Sequence, residues 1–286
     1  MMANILVTSA STGIGRATVS HLVGNGHTVF AGVRKQTDAD SLTNDLGSGV
    51  VPVLVDVTDP AQVAGLGLKM ADRLAGDGLH GLVNNAGIAV GGPLEHLPIE
   101  VLRRQLEVNV VAQVAVTQAL MPAIRRATGR IVFIGSLAGR LGAPMLGAYS
   151  ASKHALEGLT ESLRAELAPW GIRVVLVEPG SIKTEIWAKG HDQVNELEKQ
   201  FDPAVVSQYR AHIDMAGRLI DHQDKIGIPA IKVARVVERA LFTKRPSSRY
   251  QVGLDSKAVS IMSRLLPDEA KAAAAGLIGG TRLPKA

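Results

Sequence analysis

The chain alternates short apolar runs with stretches of helical period, and that rhythm limits what it can fold into more than any other feature. Strand-length runs occupy Asn4 to Thr8, Thr28 to Val33, Val50 to Val55, Gly81 to Asn84, Arg130 to Gly135 and Ile172 to Val177, with Tyr250 to Gly253 as a final edge strand. Helical periods lie between them: Ala17, Val19, Leu22 and Val23; residues 61–74; Ile99 to Ala127; Tyr149 to Leu167; and Ala230 to Phe242. Near-continuous apolar strands joined by helices make a parallel sheet with both faces covered. The expected fold is α/β: a doubly wound parallel sheet of about seven strands with helices on both faces. A length of 286 residues suits one large domain spanning 1–286. Residues 184–226 break the rhythm with a polar helical insertion carrying Trp187, Phe201, Tyr209 and Met215, expected to be a lid, and residues 255–286 form a helical C-terminal extension.

The composition excludes several function classes. There is no cysteine, so neither disulfides nor thiolate metal sites exist, and the eight histidines are dispersed without metal-ligand spacing. A net charge of +5 comes from Lys and Arg scattered among acids, without the clustered stripe of a nucleic-acid binder. No run reaches the ~18 apolar residues of a membrane span, and no basic leader precedes Ile5-Leu6-Val7. A cytoplasmic protein without an integral span is expected.

The chemistry-bearing residues fall at strand ends. The first run leads into Thr8-Ser9-Ala10-Ser11-Thr12-Gly13-Ile14-Gly15, a small-residue turn that opens a helix, where backbone N–H groups can face a pyrophosphate; a turn without a ligand fits the same pattern. The second strand ends in Val33-Arg34-Lys35, a cation where NAD sites place an acid, which favours NADP over NAD unless Arg34 is merely solvated. Asp56, beside Val57, can accept from an adenine amine or close a turn ahead of an Asp59 cap and Pro60. Asn85-Ala86-Gly87 ends the fourth strand where a flat cofactor can lie. Asn109 interrupts an apolar helical run, either to satisfy a kink or to bind a functional water. Ser136 ends the fifth strand before an apolar loop from Leu137 past Met145. Tyr149 and Lys153, four apart, share a helix face, where an ammonium can draw a phenol pKa of about 10 toward neutrality; alone, the pair is equally an amphipathic surface feature. Thr8, Asp56, Asn85, Ser136 and Pro179 converge on the carboxyl edge of the sheet, where such sheets bind ligands.

Over residues 4 to 255 the chain resembles the short-chain dehydrogenase/reductase family in its single-domain, Rossmann-type form. The resemblance rests on Thr8-x-x-x-x-Gly13-x-Gly15, Asp56-Val57, Asn84-Asn85-Ala86-Gly87, Asn109, Ser136, Tyr149-x-x-x-Lys153 and Pro179-Gly180-x-Ile182-x-Thr184, in order. It departs at Ser9, where the family has the first turn glycine. The resemblance implies NAD(P)-dependent interconversion of an alcohol and a ketone or aldehyde. In that reading Tyr149 is the general acid/base, Lys153 lowers its pKa and bonds the nicotinamide ribose, Ser136 orients the substrate oxygen, and Asn109 holds a relay water. Thr184, with Ile182, meets the carboxamide end of the cofactor. The substrate expected is hydrophobic, retinoid-like, steroid-like or hydroxyacyl, met by Leu137, Met145 and Trp187. The alternatives are a ketoreductase of carrier-bound acyl chains and a non-catalytic NADP-sensing module. A homodimer or homotetramer through the helices at 99–127 and 149–168 is the family expectation.

Overall fold

Seven parallel strands form the sheet of this computed structural model, which describes residues 2–186, 196, 198–199 and 201–278. They are β1 (Asn4–Val7), β2 (Thr28–Val33), β3 (Val50–Leu54), β4 (Gly81–Asn84), β5 (Arg130–Ile134), β6 (Arg173–Pro179) and, at the edge, β9 (Arg249–Val252). Their order is β3-β2-β1-β4-β5-β6-β9, so winding reverses between β1 and β4. The short β7 (Ile182–Lys183) and β8 (Ile228–Pro229) pair separately.

The strands are Val, Ile and Leu runs because both faces are covered. On β1, Ile5 and Val7 enter one core while Leu6 enters the other. The first face is closed by α1 (Gly13–Gly24), α2 (Gln36–Leu46) and α8 (Ile231–Phe242); the second by α3 (Pro60–Arg73), α5 (Ala112–Ala127) and α6 (Gly147–Leu167). At the start of α3, Asp59 accepts from the N–H groups of Ala61 and Gln62 with Pro60 following, as the sequence suggests. The chain has the Rossmann-type α/β architecture expected, with strand limits moved by one or two residues.

The segment from Ile99 to Ala127 is interrupted: α4 (Ile99–Leu106) passes through a π-helical turn at Glu107–Val111 into α5. Against the expectation of no span-length run, this is the one helix among the described residues long and apolar enough to cross a membrane, with a window of mean hydropathy 1.2. Half of that window is buried, and α5 packs on α3 as a core helix does. In the insertion, α7 (Pro203–Ile226) is helical as expected, and Tyr209 meets the ring of His96 edge-on at 5.9 Å. Trp187 lies outside the described residues. The extension forms α9 (Leu254–Leu265) and α10 (Asp268–Ile278).

Candidate active site and cofactor cleft

A cleft of about 780 Å³ opens at the carboxyl ends of the strands, beside the β1/β4 reversal. One end is built by the turn after β1. Thr12 is the N-cap residue of α1, yet its side chain makes no capping bond and no acid lies in the first turn. The helix therefore presents its amino end to the cleft through Thr12, Gly13 and Ile14. Gly13 has φ +56°, and a Cβ there would press on Thr184 at 3.3 Å. A Cβ on Gly15 would lie 2.3 Å from the Ser9 carbonyl oxygen, so only glycine fits. Ser9 itself has φ +51°, a left-handed conformation costing a serine ~1 kcal/mol, as its substitution for a glycine foretells. Arg34, past β2, lines the same end; no ion pair engages it among the described residues.

The other end holds Ser136, Tyr149 and Lys153. Ser136 caps the short 3₁₀ turn after β5, its hydroxyl oxygen accepting from the Ala138 N–H at 3.2 Å. Lys153 Nζ donates to the Ile134 carbonyl at 2.8 Å and lies 5.7 Å from the Tyr149 ring centre. Burial draws the Lys153 ammonium down to about 8. Tyr149 departs from expectation: burial raises its phenol above the usual value, and a hydrogen bond with Ser136 pulls only partly back. Desolvation dominates because the phenolate form is withdrawn from water. What the arrangement offers is a protonated phenol beside a hydroxyl, with a cation behind them.

A family model for short-chain dehydrogenases matches residues 3–195. The chain belongs to the short-chain dehydrogenase family. It is 38% identical over 268 residues to an NADPH-dependent 3-dehydrocapnine reductase of Ornithobacterium rhinotracheale, covering 92% of each protein. It is 34% identical over 274 residues to retinol dehydrogenase 5 of Mus musculus, covering 92% of this chain and 84% of that one. A short-chain dehydrogenase from Burkholderia cenocepacia, solved with NADP, superposes with a TM-score of 0.72 at 26% identity, covering 96% of each chain. The protein is thus a dehydrogenase or reductase of the alcohol–carbonyl type.

Of the residues singled out in this short-chain dehydrogenase from sequence, Thr12, Gly13, Ile14, Arg34, Asn85, Gly87, Ser136, Tyr149, Lys153, Pro179, Gly180, Ile182 and Thr184 line the cleft. Others stand behind it. The Thr8 hydroxyl accepts from the Asn85 and Ala86 N–H groups at 2.9 and 3.1 Å, locking the end of β1 to that of β4. Buried Ala86 is held through its carbonyl by Gln113 at 2.6 Å, and Ser11 accepts from Arg16 through its carbonyl. Asp56 closes a turn, accepting at Oδ1 from the N–H and hydroxyl of Thr58; burial pushes its carboxyl up, but those bonds and the charges of Arg34 and Arg104 hold it below the usual range. Val57 packs against the core.

Of the two readings of Asn109 its bonds follow the first, and two expected substrate contacts lie off the cleft lining. The Asn109 side chain satisfies the kink: it sits in the π turn, accepts from the Ile88 N–H at 2.8 Å, and donates to the Ile88 carbonyl and Ser152 hydroxyl at 3.0 Å each. Leu137 does not reach the cleft because it opens the 3₁₀ turn. Met145 does not either: it is buried at φ +66° with its carbonyl accepting from the Gly92 N–H.

The wall that replaces them is Ile88 to Val90, Val101 and Ile186, joined by Glu100 and Arg104 of α4. Buried Gln105 straps this wall, accepting from the Val90 N–H and donating to the Ile88 carbonyl at 2.8 Å each. Gln105 and Asn109, polar amides four apart in an apolar helical run, were the available signal.

Proposed function

We propose that the protein is an NADP-dependent oxidoreductase interconverting a hydrophobic alcohol and its ketone or aldehyde, with Tyr149 as general acid/base. The observation carrying this is that Ser136, Tyr149 and Lys153 share one cleft with an uncapped helix amino end and with Arg34. The residues fit a phosphorylated dinucleotide. Gly13, Ile14 and Thr12 offer backbone donors to a pyrophosphate, Gly15 lets the turn pack against Ser9 and Asn85, and Arg34 supplies a cation where Val33 stands in place of an acid. Lys153 and Thr184 would hold the nicotinamide end.

A bound nicotinamide supplies the hydride in reduction and accepts it in oxidation. In reduction, the Ser136 hydroxyl donates to the substrate carbonyl oxygen and Tyr149 delivers its proton to that oxygen. The ammonium of Lys153 stabilises the phenolate left behind. A phenol raised by burial is protonated at neutral pH, which suits the acid role and hence reduction. In oxidation Tyr149 takes the alcohol proton instead. The apolar wall of Ile88 to Val90, Val101 and Ile186 suits a hydrophobic substrate, in keeping with the retinol dehydrogenase among the relatives.

To the same proposal belong a single folding domain, a lid function for the insertion, a cytoplasmic location consistent with the absence of cysteine, and self-association through the exposed Ile99, Val111 and Leu159. The test is NADPH consumption against a panel of hydrophobic ketones and aldehydes, with Tyr149→Phe beside the parent. The variant is expected to bind NADPH and lose ~10³-fold in kcat. Binding without turnover by the parent, or turnover confined to carrier-bound ketoacyl chains, would refute the reading.

A further inference from the structure

Glu157 lies one turn beyond Lys153 on α6, partly buried behind the site. Its Oε2 accepts from Arg249 Nη2 at 2.7 Å and Nε at 3.0 Å, and lies 3.3 Å from Arg140 Nη2. Its Oε1 is buried, and no donor reaches it among the described residues. The Glu157 carboxyl group faces the carboxyl group of Glu178, 1% exposed, within hydrogen-bonding reach. Glu178 accepts from Arg140 Nε at 2.7 Å and from Gln251 at 2.9 Å. Carboxylates only accept, so the contact between the two is a bond only when a proton lies between them.

Facing Glu157 are Arg140 from the turn after Ser136, Glu178 from β6, Arg249 from β9, and Glu161 and Arg164 on α6 itself. Arg164 donates to the Val174 and Ser248 carbonyls and also feels the charges of Glu157 and Glu161. Arg140, Arg164 and Arg249 match Glu157, Glu161 and Glu178 in number, so it is the contact between two acceptor-only carboxylates that calls for a proton.

We propose that Glu157 and Glu178 share one proton and act as positioning residues, clamping together the three segments that carry Ser136, Lys153 and Pro179-Gly180. Arg140 ends the 3₁₀ turn opened by Ser136, Glu178 immediately precedes Pro179, and Glu157 follows Lys153 on the same helix face. The proposal rests on the reading of Ser136, Tyr149 and Lys153 as reacting groups. Burial pushes the Glu157 carboxyl up to about 7, the bond to Glu178 and its charge push the same way, and Arg249 and Arg140 pull back.

The sign follows. Unfolded, the carboxyl titrates near 4.5; folded, near 7. The unfolded chain loses its proton first, so this group's stability contribution is lost as pH rises from 4.5 through 7. Glu157→Gln keeps a donor toward Glu178 and an acceptor for Arg249. It should lack that fall in thermal stability, keep kcat at pH 6 within about threefold of the parent, and lose an ionisation near 7 from the pH profile of kcat. Glu157→Ala should lose at least about tenfold in kcat while NADPH affinity changes less than about threefold. A Gln variant with the parent's pH slope, or as inactive as Ala, overturns the proposal. So does an Ala variant that melts lower with kcat intact. If Ala does not fold, the Gln comparison decides. The melting arm needs no turnover, so a parent that reduces no carbonyl sinks the functional reading while the shared proton is still decided.

Discussion

Two glycines in helices should respond oppositely to the same substitution. At Gly15 an ideal Cβ would stand 2.3 Å from the Ser9 carbonyl oxygen and 2.6 Å from Asn85 Nδ2, against ordinary contact near ~3.5 Å. The neighbouring backbone must retreat by ~1 Å, and overpacking of this kind costs ~1–3 kcal/mol. Asn85 Nδ2 donates to the Thr8 and Ser9 carbonyls at 3.0 and 3.1 Å, and displacing it forfeits bonds of about 1 kcal/mol each. Alanine's better helix propensity returns about 1 kcal/mol, leaving Gly15→Ala destabilised by ~1–4 kcal/mol. Each kcal/mol lowers the melting temperature of a chain this size by ~2–4 °C. At exposed Gly158, in the middle of α6, nothing lies within 4 Å of the built Cβ, and Gly158→Ala should gain up to ~1 kcal/mol. Thermal unfolding reads both, and NADPH fluorescence titration should show weakened binding only for Gly15→Ala. A Gly15→Ala protein as stable as the parent with unchanged NADPH affinity would refute the steric argument.

Lys153→Met should abolish turnover yet stabilise the fold at pH 7. The folded lysine titrates at about 8 rather than 10.5, so the folded state gives up its proton first and the parent regains stability as pH rises from 8 to 10.5. The Met variant's advantage, on the order of 3 kcal/mol at pH 7, should vanish across that window in urea titrations; a pH-independent difference would contradict it. Arg34→Asp should shift the ratio of NADPH to NADH affinity toward NADH, and a parent that already prefers NADH would overturn the cofactor assignment. Ser136→Ala should reduce kcat by ~10²-fold with NADPH affinity nearly unchanged, and a purely cofactor-side defect would remove Ser136 from the proton-transfer group.

The first six strands and the edge strand were legible because each is an uninterrupted run of residues that both cores demand. α2 was not, since only Ala39 and Leu42 of its eleven residues are buried and no stripe emerges. The π turn escaped for a related reason: Leu102, Leu106 and Val110 continue a helical period, and the extra residue shows only in where Val111 points, 51% exposed. In the site, strand-end position and the resemblance singled out Ser136, Tyr149, Lys153, Gly13 and Arg34, which line one cleft. Thr8 and Asn109 were legible as positions but not as roles, because their partners are main-chain atoms of Asn85, Ala86 and Ile88. Arg104 and Val101 were invisible, since they reach the cleft only through the way α4 packs against strands distant in sequence.

The tail is latched to the loop after β6 that lines the cleft. Asp255, the second residue of α9, accepts from the Ser181 N–H at 2.6 Å, and its carboxylate occupies the space a side chain on Gly180 would need, 2.0 Å from a built Cβ. Ser256 adds a bond from its hydroxyl to the Glu178 carbonyl at 2.8 Å. Trimming the chain at residue 254 would therefore strip the outer support from the Pro179 to Thr184 loop, loosening the grip on dinucleotide while the sheet stays assembled. The tail thereby reaches, through Asp255 and Ser256, both the loop at Gly180 and the strand end that carries Glu178.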